Sequence, residues 1–221
     1  RVRSSAASDV YKRQMKTDTD KGLRVLRLSA SARERLRDDL NMECSMRMGR
    51  TLADEFISLG RLLRLPRGRA IIRAGEFDDN LYVLVEGIMR IWRTDCGREV
   101  TEAFGLPATL VLSHHCYDQG RPSAVNYEAC TPCKLLRVAR ADYDALLERN
   151  LSFALWNLRL AQRQLFRYEE RDSELVGTAQ QRYETFLLSR PEIMARVPLR
   201  MIASYLRITP EYLSKLRRDR K

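Results

Sequence analysis

The sequence predicts an α+β chain in which helices flank a block of short strands. Three observations carry this. Residues 29–63 are rich in Ala, Arg, Glu and Leu and read as helical. From Pro66 the chain breaks into short β-rich runs separated by Gly, Asp and Asn. After Ala139 the apolar period returns to three or four residues. Many short strands at this spacing predict a closed β-barrel or jelly roll.

Each element has a local reason. Ser29 or Ser31 can cap a helix start, and Gly49 and Gly60 interrupt the helical stretch, so two helices are expected before the strands. The strand candidates are Ala70–Arg73, Leu81–Val85, Ile88–Arg93, Glu99–Phe104, Thr109–Leu112, Ala124–Ala129 and Lys134–Val138. Gly75, Asp78-Asp79-Asn80, Glu86-Gly87, Asp95-Cys96-Gly97, Pro107, Gly120 and Pro132 separate them. Ala141–Arg149 is expected to form a short helix. A longer one runs from Leu151 to about Leu175, with Leu151, Leu155, Leu158, Gln162, Leu165 and Glu169 at three-to-four spacing. Leu151, Leu155, Leu158 and Leu165 are the expected dimerisation residues, pairing the helix with a second copy of the chain. The alternative is a helix packed only on its own domain. Residues 178–188 give a further helix, broken at Ser189-Arg190-Pro191.

Composition narrows the functional classes. The 221 residues are 44% hydrophobic, which argues against disorder, and the formal net charge is +11. That charge is localised. Residues 196–221 hold eight Lys/Arg against two Asp/Glu, and residues 1–14 hold four against one. Localised positive charge attracts a polyanion. No run of eighteen uncharged apolar residues occurs, so no membrane span is expected. No apolar leader with a small-residue cleavage site is seen, so a cytoplasmic location is expected. In that setting five cysteines read as reduced thiols rather than a disulfide framework. Residues 1–14, RVRSSAASDVYKRQ, precede Met15 and read as a non-native tail. The alternative is a basic arm that touches nucleic acid.

The last 26 residues are the most informative. RVPLRMIASYLRITPEYLSKLRRDRK contains two short amphipathic helices joined by a break at Arg207-Ile208-Thr209-Pro210. This is the layout of a helix-turn-helix DNA reader. Thr209 is a good N-cap and Pro210 fits the first helical position. Glu211, Ser214, Lys215 and Arg218 then share one face, while Leu213 and Leu216 point back towards Ile202 and Leu206. Ala203 is small enough to let the two helices cross closely. Glu211 can accept from a cytosine amino group, Lys215 can donate to guanine, and Ser214 can serve a base or a phosphate. Arg217, Arg218, Arg220 and Lys221 are expected on phosphates, which position without specifying sequence. The competing interpretation is a solvated amphipathic C-terminal helix.

The order of helix, β-barrel, long helix, short helix and helix-turn-helix resembles the family of the cyclic-AMP receptor protein and the fumarate–nitrate reduction regulator (Crp/Fnr), over roughly residues 60–221. Three stretches carry the resemblance: AGEFDDNLYVLVEGIMRIW (74–92), DCGREVTEAF (95–104) and VPLRMIASYLRITPEYLSKLRR (197–218). The last is similar to the helix-turn-helix of Bacteroidetes members. The resemblance implies a double-stranded β-helix, that is, a cyclic-nucleotide-binding-like barrel. It also implies an organisation of N-terminal helical segment (15–65), sensor barrel (66–150), dimerisation helix (151–175) and DNA-binding domain (176–221). It places Glu211, Ser214 and Lys215 on base-reading positions, and Arg207 where the family usually has Gly. The implied partners are promoter DNA, a second copy of the chain and RNA polymerase. No enzyme activity is implied.

The effector is a separate question. Cyclic-nucleotide binders of this family carry a Gly-Glu pair and an Arg-Ser/Thr-Ala run. Here GLPATLVLSHHCYDQGRPSAVNYEA (105–129) has no Glu after a Gly, and Arg121 is displaced. An effector other than a cyclic nucleotide is therefore expected, with Arg121, Ser123, His114 and His115 as candidate contacts. His114-His115-Cys116 and Cys130-Thr131-Pro132-Cys133 leave haem, a metal or a thiol switch open. Adjacent His residues on a strand would point to opposite faces, which speaks against a shared metal, and no metal ligand set is assigned. Other readings are a protein-interaction module and a thiol oxidoreductase using Cys130 and Cys133.

Overall fold

The computed structural model describes residues 22–44 and 46–219. The expected non-native tail at residues 1–14, and Arg220 and Lys221, lie outside the described residues. The chain opens with β1 (Arg24–Leu26) and helices α1 (Ala30–Met42) and α2 (Arg50–Ser58). The Ser29 hydroxyl caps α1 by accepting from the Ala32 amide. Gly49 stands at the N-cap of α2. The helical stretch expected over 29–63 ends early, because Arg61–Leu65 is a strand, β2. Leu and Arg are good helix formers, but the register of β2 against Cys133–Val138 outweighs that preference.

The remaining strands are β3 (Ala70–Ile72), β4 (Leu81–Glu86), β5 (Met89–Asp95), β6 (Arg98–Gly105), β7 (Leu110–Val111), β8 (Asn126–Ala129) and β9 (Cys133–Val138). They form two antiparallel sheets, ordered β1-β2-β9-β4-β7 and β3-β8-β5-β6. Neither sheet closes, so the expected closed β-barrel is corrected to two open sheets. The corners explain why. Between β4 and β5, Gly87 turns with φ 104°, and a Cβ there would lie 2.6 Å from the Cys133 sulfur. Between β6 and β7, Ala108 takes φ 69° and only two residues pair afterwards. The chain bends sharply at these points, and only a few turn bonds cross each corner: the Cys130 and Thr131 amides donate to the Ile88 carbonyl, and the Ala108 amide donates to the Leu84 carbonyl. The sheets share an apolar cluster that includes Leu63, Ile72, Tyr82, Leu84, Met89 and Leu135.

Helix α3 (His114–Tyr117) was not anticipated. Helix α4 (Arg140–Arg149) then leads into the long α5 (Leu151–Glu174), whose start is capped by Asn150 accepting from the Phe153 amide. Phe153 and Trp156 of α5 are fully buried with Phe56, Tyr143, Val83 and Leu136. Each such aromatic removes enough apolar surface to stabilise the fold by about 2–3 kcal/mol. Leu151, Leu155, Leu158, Leu165 and Phe166 lie on the opposite side of the same helix and are exposed.

Four helices follow among the described residues: α6 (Ala179–Ser189), α7 (Pro191–Arg196), α8 (Leu199–Tyr205) and α9 (Pro210–Asp219). Thr178 and Gln181 form a reciprocal capping box at the start of α6. The break at Ser189-Arg190-Pro191 falls between α6 and α7, with Pro191 at the first turn of α7.

Candidate nucleic-acid interface and the adjoining cavity

Helices α8 and α9 form a helix-turn-helix. The Thr209 hydroxyl accepts from the Tyr212 amide at 3.2 Å, and Pro210 begins α9. Leu213 is fully buried and Leu216 packs on the same cluster, which holds Ile202, Ala203 and Leu206 of the preceding helix and Phe186 of α6. Arg207 turns the chain with φ 57°, the left-handed conformation that its place in the turn requires. The Arg182 guanidinium reinforces this turn, donating to the Leu206 carbonyl at 3.0 Å and the Gly177 carbonyl at 2.8 Å.

The outer face of α9 is free. Glu211, Lys215, Arg217 and Arg218 are exposed, and Ser214 is half-buried. The Ser214 hydroxyl donates to the Pro210 carbonyl at 2.8 Å, so here it is engaged with its own helix. Tyr212 is a surface residue that the charge pattern alone does not single out. It is 42% exposed beside Lys215 and Glu211, and an aromatic in the middle of a basic helix was the available signal.

The helical head is fastened to the sheets. The Ser204 hydroxyl of α8 accepts from the Thr101 amide at 2.9 Å and donates to the Glu99 carbonyl at 2.8 Å. Phe104 of β6 packs against Phe186 and Tyr205, with ring centroids 6.3 and 5.4 Å apart. Glu174, the last residue of α5, is a second anchor. It accepts from the Tyr205 hydroxyl at 2.9 Å and from Arg190 at 3.3 Å. Burial and the nearby Glu174 carboxylate both hold the Tyr205 phenol in its protonated form.

A cavity lies where the sheets, α5 and the head meet. Its apolar part includes Met89, Ala103, Phe104, Val111, Leu112 and Tyr127. Its polar part is basic: Arg90 from β5, Arg167 and Arg171 from α5, and Arg190 from the head. Arg90 is almost wholly buried, donates to Glu99 and Glu128 at 2.9 Å each, and sits 4.8 Å over the Trp92 ring. Arg167 pairs with Glu43.

Of the four expected effector contacts, only His114 lines this cavity. His114 and His115 lie on a helical turn that begins just after the strand candidate ending at Leu112, and both are exposed. His114 faces Asp118 at 3.1 Å. Arg121 is exposed, and the buried Ser123 hydroxyl donates to the Val125 carbonyl at 2.8 Å. His115, Arg121 and Ser123 are not among the residues that line the cavity. Cys130 and Cys133 are buried, and desolvation pushes their thiols up to about 12 and about 11. Thiols held in that form are poor nucleophiles at neutral pH. Among the described residues, no group of three or more His, Cys, Asp and Glu side chains is placed to hold a metal ion. No described helix is long and apolar enough to cross a membrane.

Residues 62–150 match the family model of the cyclic nucleotide-binding domain. No curated protein sequence matches the chain. Solved structures do. The global regulator CLP of Xanthomonas campestris, described as responsive to c-di-GMP, superposes with a TM-score of 0.63 at 17% identity, covering 77% of this chain and 91% of its own. FixK2 of Bradyrhizobium japonicum gives 0.60 at 22% identity, covering 72% and 83%. A protein of Eubacterium rectale, described as a transcriptional regulator of the Crp/Fnr family, gives 0.60 at 16%, covering 77% and 82%. The chain therefore has the fold of the Crp/Fnr regulators, with a cyclic-nucleotide-binding-like domain at its centre.

Proposed function

We propose that this Crp/Fnr-type chain is a homodimeric, non-enzymatic transcription regulator that reads promoter DNA with α9 and responds to an effector other than a cyclic nucleotide. The observation that carries the DNA reading is the orientation of α9. Its apolar side is buried in the head, and Glu211, Lys215, Arg217 and Arg218 are left exposed together. Glu211, Ser214 and Lys215 select bases, and Arg217 and Arg218 meet phosphates, with Thr209 setting where the helix begins. Two heads paired across a dimer would read half-sites about one helical turn, ~34 Å, apart. The exposed stripe of Leu151, Leu155, Leu158 and Leu165 supports the pairing. Contact with RNA polymerase completes the set of partners. The reading that excludes a cyclic nucleotide is supported by the segment between β6 and β8, where Arg121 is exposed and no Glu follows a Gly.

Binding to a duplex selected from a random pool tests this. Lys215→Ala should reduce discrimination between selected and scrambled duplexes by roughly tenfold or more. Arg217→Ala should weaken both duplexes alike and lower the salt slope by about one. Equal effects of the two changes on discrimination would overturn the assignment.

A further inference from the structure

We infer that the cavity between the sheets, α5 and the head is a binding site for an amphipathic anion, an apolar body carrying one carboxylate or similar group. This rests on the regulator reading above and names the class of its effector. The argument begins with α5. Phe153, Trp156 and Leu160 form its inward face and are buried in the core. The same face continues through Gln164, Arg167 and Arg171, at spacings of four, three and four residues. An inward face that changes from apolar to cationic is costly unless the cations have partners. The change occurs where the helix crosses the cavity.

The partners are unequal. Arg90, Arg167 and Arg190 each have a carboxylate. Arg171 has no ion pair among the described residues, and its Nε, like that of the carboxylate-paired Arg90, is buried without a hydrogen-bond partner. A buried guanidinium nitrogen left unpaired beside an apolar cavity favours a ligand that brings an acceptor. A carboxylate at that point would satisfy Arg171, and a planar fork makes the interaction geometrically selective. The apolar body would lie against Met89, Ala103, Phe104 and Val111. A nucleotide ring is not required by any of these contacts.

The site also reaches the head. Arg190 and Tyr205 line the cavity, and both are held by Glu174, three residues after Arg171 on α5. An anion on Arg171 competes with Glu174 for Arg190. Occupancy therefore acts on the joint that fastens the head.

The test uses octanoate and octanol, which share a chain and differ in charge, displacing fluorescent anilinonaphthalene sulfonate from the full-length protein without DNA. Octanoate should compete roughly tenfold more strongly than octanol, since a charge-assisted bond to Arg is worth that factor or more. Arg171→Met should abolish the difference between the two. Ala103→Leu, which narrows the cavity and leaves its charge alone, should weaken both competitors. Octanoate no better than octanol, an unchanged preference in Arg171→Met, or unchanged binding in Ala103→Leu would each overturn the proposal. Because these measurements contain no DNA, the site can fail while sequence-specific binding through Lys215 stands. The reverse failure, an anion site on a protein without base discrimination, would remove the regulator reading alone.

Discussion

Arg207 occupies a backbone conformation that favours glycine, with φ 57°. A left-handed residue with a Cβ costs roughly 1–2 kcal/mol, and the greater freedom of unfolded glycine offsets about half of that. Arg207→Gly should therefore stabilise the chain by about 0.5–1 kcal/mol, read as a higher urea midpoint at unchanged slope. Lower stability in that variant would mean that the Arg207 side chain makes contacts exceeding its strain. The local chemistry of this turn was readable in advance, because Thr209, Pro210 and the leucine spacing all act within a few residues of one another. The place of His114 and His115 was not. Their helical turn depends on Ser113 accepting from the Cys116 amide, a local bond that the surrounding β-rich pattern concealed.

At the scale of elements, α5 carries two opposed faces. One holds Phe153 and Trp156 in the core, and the other leaves Leu155 and Leu158 in solvent, 44% and 52% exposed. Exposed leucines aligned at helical spacing are stabilised by burial against a partner, at ~25 cal/mol per Å². Changing both Leu155 and Leu158 to Glu should shift the proposed dimer to monomer in sedimentation, with the thermal melt of the isolated chain little changed. Retention of the same sedimentation coefficient would dismiss this stripe as the dimer seam. The leucine stripe was legible from spacing alone. The arginine stripe at residues 167 and 171 had the same spacing, but which face points inward is decided by packing. Likewise, no local pattern stated that the sheets would stay open. That outcome depends on corners such as Gly87 and Ala108, and on β7 pairing over only two residues.

At the scale of the whole molecule, buried and half-buried tyrosines tie helices to their neighbours through their hydroxyls. Tyr143 lies in the cluster beneath α5, where its hydroxyl meets Asn157. Tyr117 donates to Asp144, and Tyr205 joins the head to Glu174. Burial, with nearby carboxylates, raises all three phenols above their usual 10.0. The folded state thus keeps these protons when the unfolded chain would release them. Stability from this source is complete below pH ~10 and falls as pH rises further, because the unfolded state then binds fewer protons. Urea midpoints should be level from pH 8 to 9 and decline above ~10, and Tyr143→Phe should make the decline shallower. An unchanged alkaline slope in Tyr143→Phe would exclude this phenol as a contributor.

The two faces of α5 have a consequence for how the proposed dimer would respond to ligand. A rigid helix cannot shift its inner side without moving its outer side. An anion drawn to Arg171 would displace the leucine seam, and the seam is common to both copies. The second cavity would then meet its ligand with altered affinity. Binding isotherms would depart from a simple hyperbola, with a Hill coefficient other than one, and the coefficient would return to one when the seam is broken.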